Sequence, residues 1–243
     1  MKKFWLSVFV LTIATVACQF GGNSRAEKLA NQADQLVETE KYNEAIELYN
    51  QVLSLDPNSS HAYAGRGTAY RFLGKTQLAL DDLNKAIQLD ERNYVAYRER
   101  GMIFYFAEDY QAALEDCNKA VSLNSNYARG YLCLGYIQEE LGNYEEAISQ
   151  YTNTIRKDPN NQWAYGYRGR LYFVYTDDLE QAIKDLTKAI QLDPQWDEPY
   201  VYRGYSYIFA NRYQDAINDL DAALSLASDE KIKVKAYRGL GVA

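Results

Sequence analysis

Histidine is almost missing from this chain of 243 residues, which has one, His61. A single imidazole cannot build the usual nucleophile and base arrangements, and no cysteines and histidines cluster at metal-ligand spacing. The glycines are scattered and form no phosphate-cradling loop. These absences read against an enzyme, a metal centre and a bound cofactor. Clustered lysine and arginine are missing as well. The formal net charge is −7, a balance that disfavours nucleic acid and anionic lipid headgroups. The paired acids Asp81-Asp82, Glu139-Glu140 and Asp177-Asp178 read as solvated charge on helical faces or in a turn. No run has a bilayer's length: the apolar stretch from Phe4 to Ala17 is fourteen residues, where a spanning helix needs about 20.

What is present is repetition. Laid over itself at an offset of 34 residues, the chain repeats six times, over 26–59, 60–93, 94–127, 128–161, 162–196 and 197–230, the fifth block carrying one extra residue. Such a period means small supersecondary units, each covered by its neighbours. Each block reads as two short amphipathic helices around a polar turn. The first helix opens on a recurrent line, as in Tyr97-Arg98-Glu99-Arg100-Gly101 and Tyr200-Val201-Tyr202-Arg203-Gly204. A helical glycine costs roughly 1 kcal/mol against alanine. Its recurrence at Gly67, Gly101, Gly135, Gly169 and Gly204 therefore predicts a helix pressed close, with Ala45, Ala79, Ala113, Ala147, Ala182 and Ala216 as the small partners. Second helices end at Asp56-Pro57, Asp158-Pro159 and Asp193-Pro194, where proline cannot continue a helix.

These residues resemble the tetratricopeptide repeat, over 205 of the 243 residues. The resemblance implies an all-α, right-handed superhelical α-solenoid of about six helix-turn-helix units, with residues 231–243 as a C-terminal capping helix or the start of a seventh repeat. One departure is informative. Where the family usually has leucine before the glycine, four blocks have Arg66, Arg100, Arg168 and Arg203, and the same four carry Asp82, Asp116, Asp185 and Asp219 sixteen or seventeen residues on. The register predicts four internal ion pairs between the two helices of a block. The remaining blocks set Gln32 against Leu48 and Leu134 against Gln150.

At the front, Met1-Lys2-Lys3 and the apolar run read as an export signal over 1–17. The run closes on Thr15-Val16-Ala17-Cys18, similar to the lipobox of bacterial lipoproteins, which implies a lipid on Cys18 and a tether over 18–25. A secreted or periplasmic soluble protein and an uncleaved anchor are the alternatives. Loss of the signal would take the charge from −7 to −9 through Lys2 and Lys3. Cys117 and Cys133 are expected as two free, largely buried thiols, although an export compartment permits a disulfide.

In the family the first helices line a concave face that binds peptides. Carried onto this chain, that lining comprises Arg71, Phe72, Arg98, Met102, Tyr105, Phe106, Arg129, Tyr136, Trp163, Tyr167, Arg170, Phe173, Tyr202 and Tyr205, with Phe209 beyond them. Aromatic rings with interspersed arginine are the stuff of binding hot spots. With 23 tyrosines, some rings must instead pack between helices. His61 reads as a plain residue at the groove edge. The carboxylate clamp of chaperone-binding members is absent, its places held by Ala30, Asp34, Ala64, Thr68, Arg98 and Met102. The expectation is a non-catalytic scaffold, lipid-anchored in a bacterial envelope, that binds a peptide segment of another envelope protein. Recognition of glycan or peptidoglycan strands by the rings is the alternative. The end faces of such a stack also offer a surface for self-association.

Overall fold

A computed structural model describes residues 25–243, so the expected signal, Cys18 and most of the tether lie outside the described residues. Arg25, assigned to the tether from sequence, is already helical. The described residues are all-α, with no strand among them. They form two compact units that divide after Asn124. The first holds α1 (25–38), α2 (Tyr42–Leu55), α3 (Ser60–Phe72), α4 (Thr76–Leu89), α5 (Tyr94–Phe106) and α6 (Tyr110–Leu123). The second holds α7 (Ala128–Glu140), α8 (Tyr144–Lys157), α9 (Gln162–Leu171), α10 (Leu179–Leu192), α11 (Glu198–Phe209), α12 (Tyr213–Leu226) and α13 (Glu230–Leu240). Odd-numbered helices are the first helices of each repeat, and even-numbered ones the second. Within the units, pairs such as α3 with α4 and α11 with α12 pack tightly, and second helices also meet the next first helix, as α4 meets α5 and α10 meets α11.

Ala45, Ala79, Ala113, Ala147, Ala182 and Ala216 are all fully buried. The recurrent glycines are pressed as expected, but against a different residue. A Cβ on Gly67 would lie 2.9 Å from Leu83, and one on Gly101 would lie 2.8 Å from the Cys117 sulfur. The partner is thus the residue four positions after each alanine, because that side chain reaches across the crossing while the alanine offers only its carbonyl oxygen, 3.2 Å away for Ala79.

Local signals explain the helix ends. Ser59, Asn93 and Asn161 cap α3, α5 and α9 by accepting from the backbone N–H of Ala62, Ala96 and Ala164. After the second helices, Asp56, Asp90, Asp158 and Asp193 each accept the N–H two residues on, at 2.9–3.1 Å, whether or not proline follows. Each turn from first to second helix passes through one left-handed residue: Glu40, Gly74, Glu108, Gly142, Asp177 or Asn211.

The fifth repeat's extra residue is absorbed just after α9, where Tyr172–Thr176 form a π-helical turn that ends on Asp177. The last helix, α13, buries Ile232, Ala236 and Gly239 and packs on α11 and α12.

Candidate functional site

The paired helices are fastened by a repeated clamp. Arg66 donates from Nε and Nη2 to both carboxylate oxygens of Asp82, each at 2.7 Å. Arg100 with Asp116, Arg168 with Asp185 and Arg203 with Asp219 repeat this forked geometry at 2.7–2.9 Å. The third nitrogen of each guanidinium reaches back to the preceding second helix: to Asn50 at 2.6 Å, Asn84 at 2.7 Å, Thr152 at 2.9 Å and Thr187 at 3.0 Å. Rings three residues before and four after flank each guanidinium, as Tyr63 and Tyr70 flank Arg66 at 5.5 and 5.9 Å. These arginines are therefore fully engaged inside the fold.

The two repeats without this clamp use another. Tyr49 donates to Asp34 at 2.6 Å, and Tyr151 donates to Glu139 at 2.9 Å. Each tyrosine stands where the other repeats have Leu83, Cys117, Leu186 or Leu220. Each carboxylate is also met by a basic side chain from the next first helix. His61 Nε2 lies 3.0 Å from Asp34, and Arg170 pairs with Glu139. Burial alone would raise the Asp34 carboxyl, but hydrogen bonds from His61 and Tyr49 hold it below its ordinary range. The hydrogen bond to Asp34 in turn raises His61, against the opposing effect of burial. His61 is thus a pairing residue rather than a plain edge residue.

The expected lining can now be placed unit by unit. In the first unit, Arg71 donates to Glu99 at 2.7 Å and Arg98 pairs with the same carboxylate. Burial would raise Glu99, but the two guanidinium charges hold it low. Arg98 and Met102 are only 8% and 5% exposed. They belong to the floor and not to the contact surface expected of them, because Glu99 draws the arginine inward. Tyr105 meets Phe106 edge-on at 5.3 Å. Phe72 and Phe106 stand out, at 50% and 67% exposure, with the Arg71 guanidinium 4.1 Å over the Phe72 ring and Tyr42 stacked on it at 4.8 Å.

In the second unit, Arg129 is exposed. Tyr136, Tyr151, Tyr167 and Trp163 join one ring cluster, with Tyr136 and Tyr167 edge to face at 5.2 Å. Burial, then the nearby Glu198 carboxylate, push the Tyr167 phenol up to about 12. Arg170 lies 5.2 Å over the Tyr167 ring. Phe173 contacts Tyr202, Tyr205 and Phe209, and Lys235 donates to the Tyr202 hydroxyl at 3.0 Å. Many of these rings therefore pack on one another. Trp163 keeps 38% exposure. Sequence reasoning missed Trp196, which lies 4.6 Å from Trp163 and fills the space that Gly166 leaves for want of a side chain. Gly166, set between Tyr165 and Tyr167 where other repeats have Ala64, Arg98, Leu132 and Val201, was the available signal.

Cys117 and Cys133 are both fully buried and both disulfide-bonded. This corrects the expectation of free thiols, which took their places in the repeat to aim apart; both side chains turn inward. Among the described residues no three histidine, cysteine or acidic side chains are grouped to hold a metal ion, and no helix is long and apolar enough to cross a membrane.

Comparison with known proteins follows the repeats. Family models described as TPR repeat or tetratricopeptide repeat match residues 33–74, 65–128, 128–161 and 164–195. The small glutamine-rich tetratricopeptide repeat-containing protein 2 of Mycosarcoma maydis is 29% identical over 139 residues, or 57% of this chain. The chain spans about 30% of that relative's length. Among solved structures, pilF of Pseudomonas aeruginosa superposes with a TM-score of 0.78 at 15% identity, over 90% of this chain and 99% of that one. YrrB, described as having an unusual peptide-binding site, superposes with a TM-score of 0.59 at 18% identity, over 78% and 97%.

Proposed function

Because the chain belongs to the tetratricopeptide-repeat family, whose fold is that of a protein-interaction scaffold, we propose that it docks a peptide segment of another bacterial envelope protein on its first-helix faces. It does so as a non-catalytic adaptor, exported and lipid-anchored through Cys18. The observation that carries the reading is the set of large rings left uncovered on first helices, Phe72, Phe106 and Trp163, beside arginines whose charge the fold has already neutralised. Such surfaces gain area on docking without stripping water from an unpaired charge. The peptide-binding description of YrrB supports the same use of the fold. Glycan recognition would need free polar groups around the rings, and beside Tyr167 the Glu139 carboxylate is committed to Tyr151 and Arg170, which leaves Glu198 to serve it. Export is supported by the disulfide-bonded cysteines, since such bonds persist in oxidising compartments.

Crosslinking in intact envelopes should capture a protein through the parent chain and lose it when Phe72, Phe106 and Trp163 become alanine. Loss of binding to purified cell-wall sacculi with the protein partner retained would replace this reading with the glycan one. Mass spectrometry of the mature N-terminus should find a diacylated Cys18; an unmodified N-terminus at any other residue refutes the anchor.

A further inference from the structure

Besides α13, where Val234 and Tyr237 stand out, the second unit exposes apolar side chains along the edge where first helices turn into second ones. Leu141 and Tyr144 belong to the first of its three turns, Val174 and Tyr175 to the next, and Phe209 and Tyr213 to the third. Val174 and Phe209 are 61% and 66% exposed. The residues are held in place and linked. Tyr144 and Tyr175 lie 5.0 Å apart, the Tyr175 hydroxyl donates to Glu145 at 2.6 Å, and Phe173, next to Val174, contacts Phe209 at 5.6 Å. The extra residue of the fifth repeat is spent in the middle of this edge, in the π-helical turn that holds Val174 and Tyr175, and Val174 stands at the place that Phe209 holds in its own repeat. Turns of this kind are costly irregularities that recur at functional sites.

Charge selects the occupant. Over 140–146, 174–181 and 209–215 the sequence has seven acids, Glu140, Glu145, Glu146, Asp177, Asp178, Glu180 and Asp215, and one base, Arg212. That base is already paired with Asp215 at 2.6 Å. An acidic rim around bulky apolar side chains repels anionic headgroups and a second copy of this acidic chain. It attracts a cation that brings its own apolar surface.

We propose that this edge, which continues the first-helix faces at Phe209, is a docking surface in its own right, whose occupant is a partner segment in which lysine or arginine alternates with bulky apolar residues. The apolar side chains cover Val174, Tyr175 and Phe209, and the cations meet Glu145, Glu146 and Asp177.

The test uses the purified full chain and short fluorescent peptides of alternating Lys and Leu, with Glu/Leu and Lys/Ser counterparts. The Lys/Leu peptide should bind at micromolar concentration, and binding should weaken as salt rises through the physiological range. The double variant Val174→Ser with Tyr175→Ser should weaken it about tenfold. Glu145→Gln with Glu146→Gln, both exposed, should weaken it and flatten the salt dependence; because Glu145 also holds Tyr175, Glu180→Gln, an exposed acid of the same rim, should do the same. Trp163→Ala, on the first-helix face, should leave it unchanged, which separates failure here from failure of the scaffold reading. Equal binding of the Lys/Ser or the Glu/Leu peptide overturns the proposal, because apolar cover or charge would then be irrelevant. Sensitivity to Trp163→Ala without sensitivity at Val174 and Tyr175 overturns it in favour of the first-helix face. Uptake of the chain by phosphatidylcholine vesicles through Val174 and Tyr175, with no peptide binding, overturns it in favour of lipid.

Discussion

At the scale of the residue, each clamp asks one arginine to satisfy two helices at once. Asp116 is 6% exposed and takes two hydrogen bonds from Arg100. Removing one member of such a pair strands the other in a poorly solvated place, at a cost of about 3 kcal/mol. Asp116→Ala should therefore lower the thermal midpoint by several degrees, whereas Glu115→Ala, at an exposed neighbour, should change it by less than about one degree; calorimetry of the two variants decides. The pairing register was legible because one offset recurs in four blocks. The third bond to Asn50, Asn84, Thr152 and Thr187 was not, because two residue types fill one place and the acceptor sits in the block before. Nor was Trp196, whose place in the connection is held by Ser59, Asn93, Tyr127 and Asn161 in other repeats. His61 brings a pH dependence that the arginine clamps lack. Its folded pKa is raised, so its contribution is complete below the ordinary value near 6.5 and is lost as pH rises through the folded value. Asp34, held low, loses its part only on acidification below the usual carboxylate range. The pair is largely exposed, so the effect is small. Melting of the first unit should fall by about 1–2 °C between mildly acidic and mildly alkaline pH, and His61→Gln should abolish that slope.

At the scale of the element, each repeat needs the same tight turn, and the chain meets the need with unequal residues. Gly74 and Gly142 adopt positive φ without strain, and their turns could be read from sequence. Glu40 and Glu108 hold φ of 61° in the same position, where a Cβ costs about 1 kcal/mol. Their conformation was hidden because only the repeat register, not the residue type, announces it. Glu108→Gly should thus raise the thermal midpoint by roughly 2–4 °C, while Gly142→Ala should lower it. A Glu108→Gly protein that melts earlier would show that the Glu108 side chain makes contacts worth more than the relieved strain. The fifth repeat's extra residue was equally visible as a length. Its form was not, since a count of residues does not say whether a helix will bulge, fray or lengthen its loop. The answer follows from the neighbours: Asp178 must still cap α10 through the Gln181 N–H, and Arg168 must still reach Asp185. The spare residue is therefore confined to the stretch between them, and a widened turn is the way to keep both.

At the scale of the whole molecule, stability comes from many short-range fastenings in series rather than one large core, as expected when repeats contact chiefly their neighbours. Glycine and alanine let the paired helices approach, one larger side chain from the second helix fills most crossings, and polar clamps fix the register. In such a chain a covalent link matters more than in a globular domain of the same size. Cys117 and Cys133 are fully buried and disulfide-bonded, and loss of a native disulfide from a secreted domain typically costs about 2–5 kcal/mol. The chain should accordingly melt roughly 5–10 °C lower in millimolar dithiothreitol than without it. Cys117→Ser should melt at the lower temperature in both conditions. Protein recovered from an oxidising compartment should show neither thiol to an alkylating reagent until it is unfolded and reduced. Two alkylatable thiols at these positions in protein taken from its native compartment, with a midpoint indifferent to reductant, would remove both the covalent fastening and the support it lends to export.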